Sequence, residues 1–145
     1  MGPMKLADIG VTMLKRISVK GGDVLHAMKK CDIGYAGFGE AYFSDVARGA
    51  VKGWKRHKTM TMNLVVPVGR VRFVFYGLDH HGVAGFRVEE IGEERYGRLT
   101  VPPGIWFAFQ GLAARQNLVL NIGSVEHDPD EVERLGIADL QYVWS

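Results

Sequence analysis

Apolar and polar residues alternate with a period of two along most of this chain. Residues 71–78 show it most clearly: Val71, Phe73 and Phe75 interleave with Arg72, Val74 and Tyr76. That period belongs to a strand with one buried face. Residues 49–76 read as two strands around a polar turn, a Pro67-Val68-Gly69 break, and a third strand. Pro67 has no N–H for a central ladder, so the strand over residues 62–68 bends or ends there. Residues 98–109 place a Pro-Pro-Gly turn between two apolar strands. Further strands are predicted over 40–46, 50–57, 86–91, 95–101, 105–109 and 117–122, with a weak one over 13–19. Asp79-His80-His81-Gly82 is a hairpin turn by composition. Asp23 is placed to cap a short helical turn through Met28. Asp128-Pro129-Asp130 opens a second short helix, with Pro129 at its first position. Residues 139–144 read as a last strand or extended arm.

About ten short strands at regular spacing predict an all-β sandwich or barrel with a polar mouth, able to enclose a small molecule. The chain has 145 residues, the size of one domain, taken as 1–145. Its 19 glycines suit many tight turns. A net charge of +2 is too small to argue for nucleic acid. The single cysteine, Cys31, forms no internal disulfide. There is no apolar run of about 18 residues and no charged-then-apolar leader, which predicts a soluble, cytoplasmic protein with no membrane partner.

The chemistry-bearing residues cluster around the second strand. Lys55 and His57 are two apart and face the same way, into the mouth if Trp54 and Arg56 face out. His57 titrates near neutral pH without help, whereas Lys55 needs burial or neighbouring cations to act as a base. Lys52, Lys55, Arg56 and Lys58, with Arg48, Arg70 and Arg72 near in sequence, can hold a diphosphate or form a solvated edge. Trp54, Trp106 and Phe107 can stack on a ligand or pack in the core. Glu40 and Tyr42 share a face, and Tyr42, Tyr76 and Tyr96 are candidate proton donors. Asn63 and Asn121 are polar groups inside apolar strands, so they contact ligand or link the interior.

The order GxVKGWxxH, then NLVVPVGRVRFV, then RLTVPPGIW resembles the cupin-type sugar-nucleotide epimerases, specifically the dTDP-4-dehydrorhamnose 3,5-epimerase family. The likeness spans roughly residues 40–144. It implies a cupin jelly roll with short helical segments near both ends, a homodimer, and catalysis without a metal or other cofactor. It also implies a nucleotide-sugar ligand and proton transfer at the carbons flanking a C4 ketone, by a His base held by an Asp and a Tyr acid. Matched position by position, the family's basic residue falls at Lys52 and its catalytic His at Lys55. The His of its Pro-Pro-Gly turn falls at Phe107, and its Tyr near Leu120. A metal-binding cupin needs about three His and a carboxylate from two motifs; His57 is alone in the first and Phe107 stands in the second.

The expected site therefore comprises His57, Lys55 and Tyr42 for catalysis. Lys52, Arg56, Lys58, Asn63, Arg72, Trp106 and Asn121 are expected to bind substrate. The alternative reading is a sugar-nucleotide-binding or regulatory cupin without turnover.

Overall fold

A computed structural model describes residues 3–145. Two five-stranded antiparallel sheets pack face to face as a jelly roll. The first has the order β1 (Gly10–Met13), β9 (Gly97–Val101), β6 (Met62–Val68), β11 (Leu118–Gly123) and β4 (Glu40–Asp45). The second runs β12 (Val132–Arg134), β5 (Val51–His57), β10 (Trp106–Gly111), β7 (Arg70–Leu78) and β8 (Ala84–Gly92). A small hairpin of β2 (Arg16–Ile17) and β3 (Val24–Leu25) stands apart.

Alternation decides which residues fill the space between the sheets. Met62, Leu64, Val66, Leu99, Val101 and Val119 face inward from the first sheet and meet Phe73, Phe75, Ile91, Phe107 and Phe109 of the second. The outward residues of the second sheet form a separate aromatic layer. There Trp54, Val74 and Ala108 are covered by Leu135, Ile137, Leu140, Tyr142 and Trp144. The loop before β4 covers the outer face of the first sheet over β9 and β6, while Phe43 on the β4 edge stays exposed. Arg98 is fully buried beneath it and donates to the carbonyls of Ala27 and Ile33, with its third contact to Asp32.

Most predicted strands form within a residue or two of their expected bounds. Pro67 stays within β6, where the pairing with β11 shifts register between Leu118 and Leu120. The irregularity absorbs the missing N–H.

Both expected helices are corrected. After Asp23, Val24–Leu25 pairs with Arg16–Ile17 instead of coiling. Gly21 and Gly22, at φ +94° and +147°, close that hairpin, and a single isolated helical turn has little to nucleate it. After Pro129 the chain makes one turn, with Glu131 N donating to the Asp128 carbonyl, and then extends as β12 along the free edge of β5. The helical content near the two ends is one 3-10 turn each, at Leu6–Asp8 and Ile137–Asp139. Residues 140–145 form an extended arm in which Tyr142 and Trp144 turn inward.

Candidate active site

β5 supplies most of the site, and a bulge sets its geometry. Lys55 pairs with Phe107 of β10, but Ala108 pairs with Gly53, leaving Trp54 as the extra residue. Strict alternation would put Lys52 and Lys55 on opposite faces. The bulge instead pairs Lys52 with Phe109, so both lysines reach the interior face. Gly53 permits it: its φ is +140°, and a Cβ there would lie 2.5 Å from the Ala108 Cβ.

A cavity of about 160 Å³ opens at this end of the barrel, lined by Ser44, Lys52, Lys55, Phe107, Phe109 and Arg134. Arg134 stands opposite Lys55 in the β12–β5 register. The Lys55 Nζ lies 5.4 Å from the centre of the Phe107 ring. Burial, with Arg134 adding repulsion, pushes Lys55 down to about 8, against the pull of Glu131 and Glu40. Neither Lys55 nor Arg134 has an ion-pair partner among the described residues.

His57 lies on the same face, beyond the residues that line the cavity, 6% exposed, with its ring 6.4 Å from that of Phe107. Its Nδ1 is 2.7 Å from the Glu131 Oε1. Glu131 Oε2 accepts the backbone N–H groups of Met60 at 2.8 Å and Thr59 at 3.0 Å. Burial opposes ionisation of Glu131, but hydrogen bonds from His57, Thr59 and Met60 outweigh it and hold the carboxyl below its usual range. Burial also drives the His57 imidazole below its usual range, against the pull of Glu131; Lys55 and Arg134 push the same way as burial. At neutral pH the ring is therefore neutral. The ionised Glu131 carboxylate accepts a hydrogen bond from Nδ1–H, which keeps the proton on Nδ1 and the lone pair on Nε2. That Nε2 is buried and has no hydrogen-bond partner.

From the first sheet, Tyr42 and Ser44 pair in register with Asn121 and Val119 of β11. The Asn121 amide donates to the Ser44 Oγ and to the carbonyls of Tyr42 and Val119. Asn121 therefore supports the β4 wall of the site. Burial first, then Glu40, raises the Tyr42 phenol above its usual range, with Arg134 opposing, so it stays protonated at neutral pH.

The remaining expected residues lie elsewhere, and the reason is strand parity. Arg56 points outward, forms a two-pronged pair with Glu133 at 3.1 and 3.0 Å, and lies over the Trp106 ring at 4.5 Å. Trp106 is thus occupied by Arg56 on the outer face. Arg72 is also on that face, bonded to Glu90, Gln110 and Ser145. Lys58 is exposed past the end of β5. Asn63 faces away from the interior, donating to the Gly34 carbonyl and accepting from Thr100 Oγ1. Of the other donor candidates, Tyr96 donates to the His26 carbonyl and Tyr76 belongs to the outer aromatic layer. Sequence reasoning missed Glu131 and Arg134 because both follow Pro129, in the segment expected to be a helix.

A larger cavity, about 430 Å³, lies at the other edge of the same sheet beside Arg70, Glu90, Glu93 and Arg95. Most of its charged groups are engaged: Arg70 with Glu90, Glu93 with the Gly69 N–H, and Arg95 with Glu89, while Glu94 is exposed at its rim. It offers no buried side chain with an open valence for chemistry, so the smaller site is the stronger candidate. Among the described residues, no group of three or more His, Cys, Asp or Glu is placed to hold a metal ion, and no helix is long and apolar enough to cross a membrane.

The jelly roll of two five-stranded sheets is shared with solved structures of sugar isomerases. A dTDP sugar isomerase from Desulfovibrio desulfuricans is 30% identical, with a TM-score of 0.87, over 94% of this chain and 90% of that one. The chain belongs to the family of dTDP-sugar isomerase and epimerase cupins, which are carbohydrate isomerases. Two more distant structures share the fold. The dTDP-4-dehydrorhamnose 3,5-epimerase from Sulfolobus tokodaii is 20% identical, with a TM-score of 0.81 over 97% of this chain and 85% of that one. QdtA, a sugar 3,4-ketoisomerase from Thermoanaerobacterium thermosaccharolyticum in complex with TDP, is 19% identical, with a TM-score of 0.74 over 90% of each chain. No protein-family model matches the chain, and no curated protein matches it by sequence.

Proposed function

We propose that this protein moves protons on the sugar ring of a dTDP-4-keto-6-deoxyhexose, in the manner of a 3,5-epimerase, as a cytoplasmic homodimer that uses no metal or other cofactor. One observation carries the reading: His57 has its Nδ1 tied to Glu131 and its Nε2 free of any partner. An imidazole held in that tautomer is a base waiting for a proton. A carbon next to the C4 ketone supplies one. Its C–H bond breaks, the proton goes to Nε2, and the electron pair moves through the new C=C bond onto the ketone oxygen.

Lys55, next to His57 on this face, stabilises the resulting enolate charge. Tyr42, on the facing sheet and kept protonated, returns a proton to the opposite side of the carbon. Lys52 and Arg134 hold the diphosphate, one as a point charge and one as a planar fork. A cavity of about 160 Å³ is small beside the 300–1,000 Å³ or so of most ligand sites. It takes the sugar ring and leaves the nucleotide across the mouth.

A second reading is 3,4-ketoisomerisation. It is favoured by the presence of one carboxylate-backed base with its cationic partner on the same wall. In that reaction the same imidazole returns its proton to C4 of the enediol, while the C3 hydroxyl proton passes to the C4 oxygen and leaves the ketone at C3. Incubation with dTDP-4-keto-6-deoxyglucose in deuterium oxide separates the readings. Deuterium at both C3 and C5 with retention of the C4 ketone marks the epimerase; a new C3 ketone marks the ketoisomerase. Binding of dTDP without exchange or product marks a binding protein and contradicts both. Sedimentation of the pure protein as a monomer contradicts the dimer.

A further inference from the structure

β12 is three residues long and lies at the edge of its sheet, yet it carries Arg134, and Glu131 immediately precedes it. So short an edge strand is weakly held by its own ladder. At its start it is held by the Lys58 N–H on the Glu131 carbonyl at 2.8 Å and by the Thr59 and Met60 N–H groups on the Glu131 carboxylate. At its end the hold comes from Trp54 and the residues beyond. Trp54 exchanges backbone hydrogen bonds with Leu135 at 3.1 and 3.0 Å, and its indole N–H donates to the Ile137 carbonyl at 3.2 Å. The ring of Trp144 lies 5.9 Å from that of Trp54 and 4.8 Å from that of Tyr142, which in turn reaches Phe86 at 5.4 Å. Ser145 closes the strap by accepting from Arg72.

Trp54 is the bulged residue of β5, between Gly53 and Lys55. Its neighbours line the site while its ring anchors the strap. We infer that Trp54 and Trp144 are positioning residues: through residues 137–145 they fix β12, and through β12 they keep Glu131 on the Nδ1 of His57 and Arg134 opposite Lys55. Neither ring lines the cavity. The strap and the imidazole are coupled because β12 is bonded to His57, Arg56 and Lys55 on one side and is continuous with Leu135 on the other.

Only the kinetic arm of the test rests on His57 being the base. The primary readout needs no substrate: the ring-nitrogen spectrum of 15N-histidine-labelled full-length protein and the exchange of the His57 Nδ1 proton with solvent. The wild type is expected to show one tautomer, protonated at Nδ1. Trp144→Ala should speed exchange of that proton about tenfold by loosening the strap. Trp144→Phe, which keeps an aromatic ring against Trp54, should restore the wild-type rate. With dTDP-4-keto-6-deoxyglucose, kcat of Trp144→Ala should fall about 10- to 100-fold, as small displacements of reacting groups do. Should Trp144→Ala not fold, Trp54→Phe removes the indole bond to Ile137 together with part of the ring buried against Trp144, and takes the same spectra. A lowered melting temperature with unchanged tautomer and exchange in the folded variant overturns the inference, as does failure of Trp144→Phe to rescue. A strap effect on the spectrum with no turnover by the wild type would contradict the proposed function and leave the inference standing.

Discussion

On the inner face of β5, among the described residues, Lys55 has no ion-pair partner and the His57 Nε2 has no hydrogen bond. On its outer face, Arg56 meets Glu133 with two hydrogen bonds and covers Trp106, and the Trp54 indole finds Ile137. Both faces carry cations and aromatics, so composition does not separate them. Satisfaction does. The outer polar groups of β5 itself answer their neighbours and hold the strand in place, although the Trp144 indole N–H packed over them has no partner among the described residues; the inner ones are left open in a buried setting, where an open polar group is costly. A fold tolerates such a cost where a ligand supplies the missing partners.

The comparison breaks most sharply at His57. His57→Asn should lower kcat about 10²- to 10⁴-fold, the usual worth of a positioned base, while circular dichroism stays that of the wild type. Arg56→Ala, one residue away, should leave kcat within about twofold and cost no more than about 1 kcal/mol of stability, as a partly exposed ion pair does. Equal kinetic losses in the two variants would erase the distinction between the faces.

Glu131→Gln comes next. An amide leaves either the imidazole or the Thr59 and Met60 N–H groups without an acceptor, so both kcat and stability fall, the latter by about 3 kcal/mol in chemical denaturation. The pH dependence of stability carries the same signature. His57 titrates lower in the folded state than in the unfolded chain, so the unfolded state takes up its proton first as pH falls through about 6.5. Glu131, also held low, extends the loss of stability below about pH 4.5. Melting curves from pH 8 to pH 4 should show a decline that His57→Asn makes shallower.

Lys55 gives a smaller effect of its own. With its ammonium pushed down to about 8, it is partly neutral in mildly alkaline solution, and a bound diphosphate should recharge it. Binding of dTDP near pH 8.5 should take up a fraction of a proton, measured by calorimetry in buffers of different ionisation enthalpy. Lys55→Arg should abolish the uptake, and Lys52→Ala should weaken dTDP binding about tenfold, the effect shrinking at high salt. Proton uptake that persists in Lys55→Arg would move its source to another group.

How far the sequence discloses this arrangement depends on which physical signal each residue carries. Strands such as β7 announce themselves, because Val71, Phe73 and Phe75 must all face one core. The same parity places Lys55 and His57 together from sequence alone. It fails at Lys52, where the Trp54 bulge changes the count, a feature that depends on how closely Gly53 approaches Ala108. Arg72 and Trp106 are of the same residue types as the site cations and aromatics, and Arg56 is turned outward by the same parity that turns Lys55 and His57 inward; all three find their partners on the outer face. Asn63 was a buried amide with two possible roles, and its loop partner Gly34 is 29 residues distant in sequence. Glu131 and Arg134 were hidden by a local helix signal at Pro129 that the free edge of β5 overrides.

The most direct measurement follows deuterium from solvent into dTDP-4-keto-6-deoxyglucose by NMR, with wild type and His57→Asn side by side. Label entering the carbons that flank the C4 ketone with the wild type, and entering at least about a hundredfold more slowly with the variant, is the predicted result. Equal rates of incorporation in the two proteins would contradict the assignment of His57 as the base.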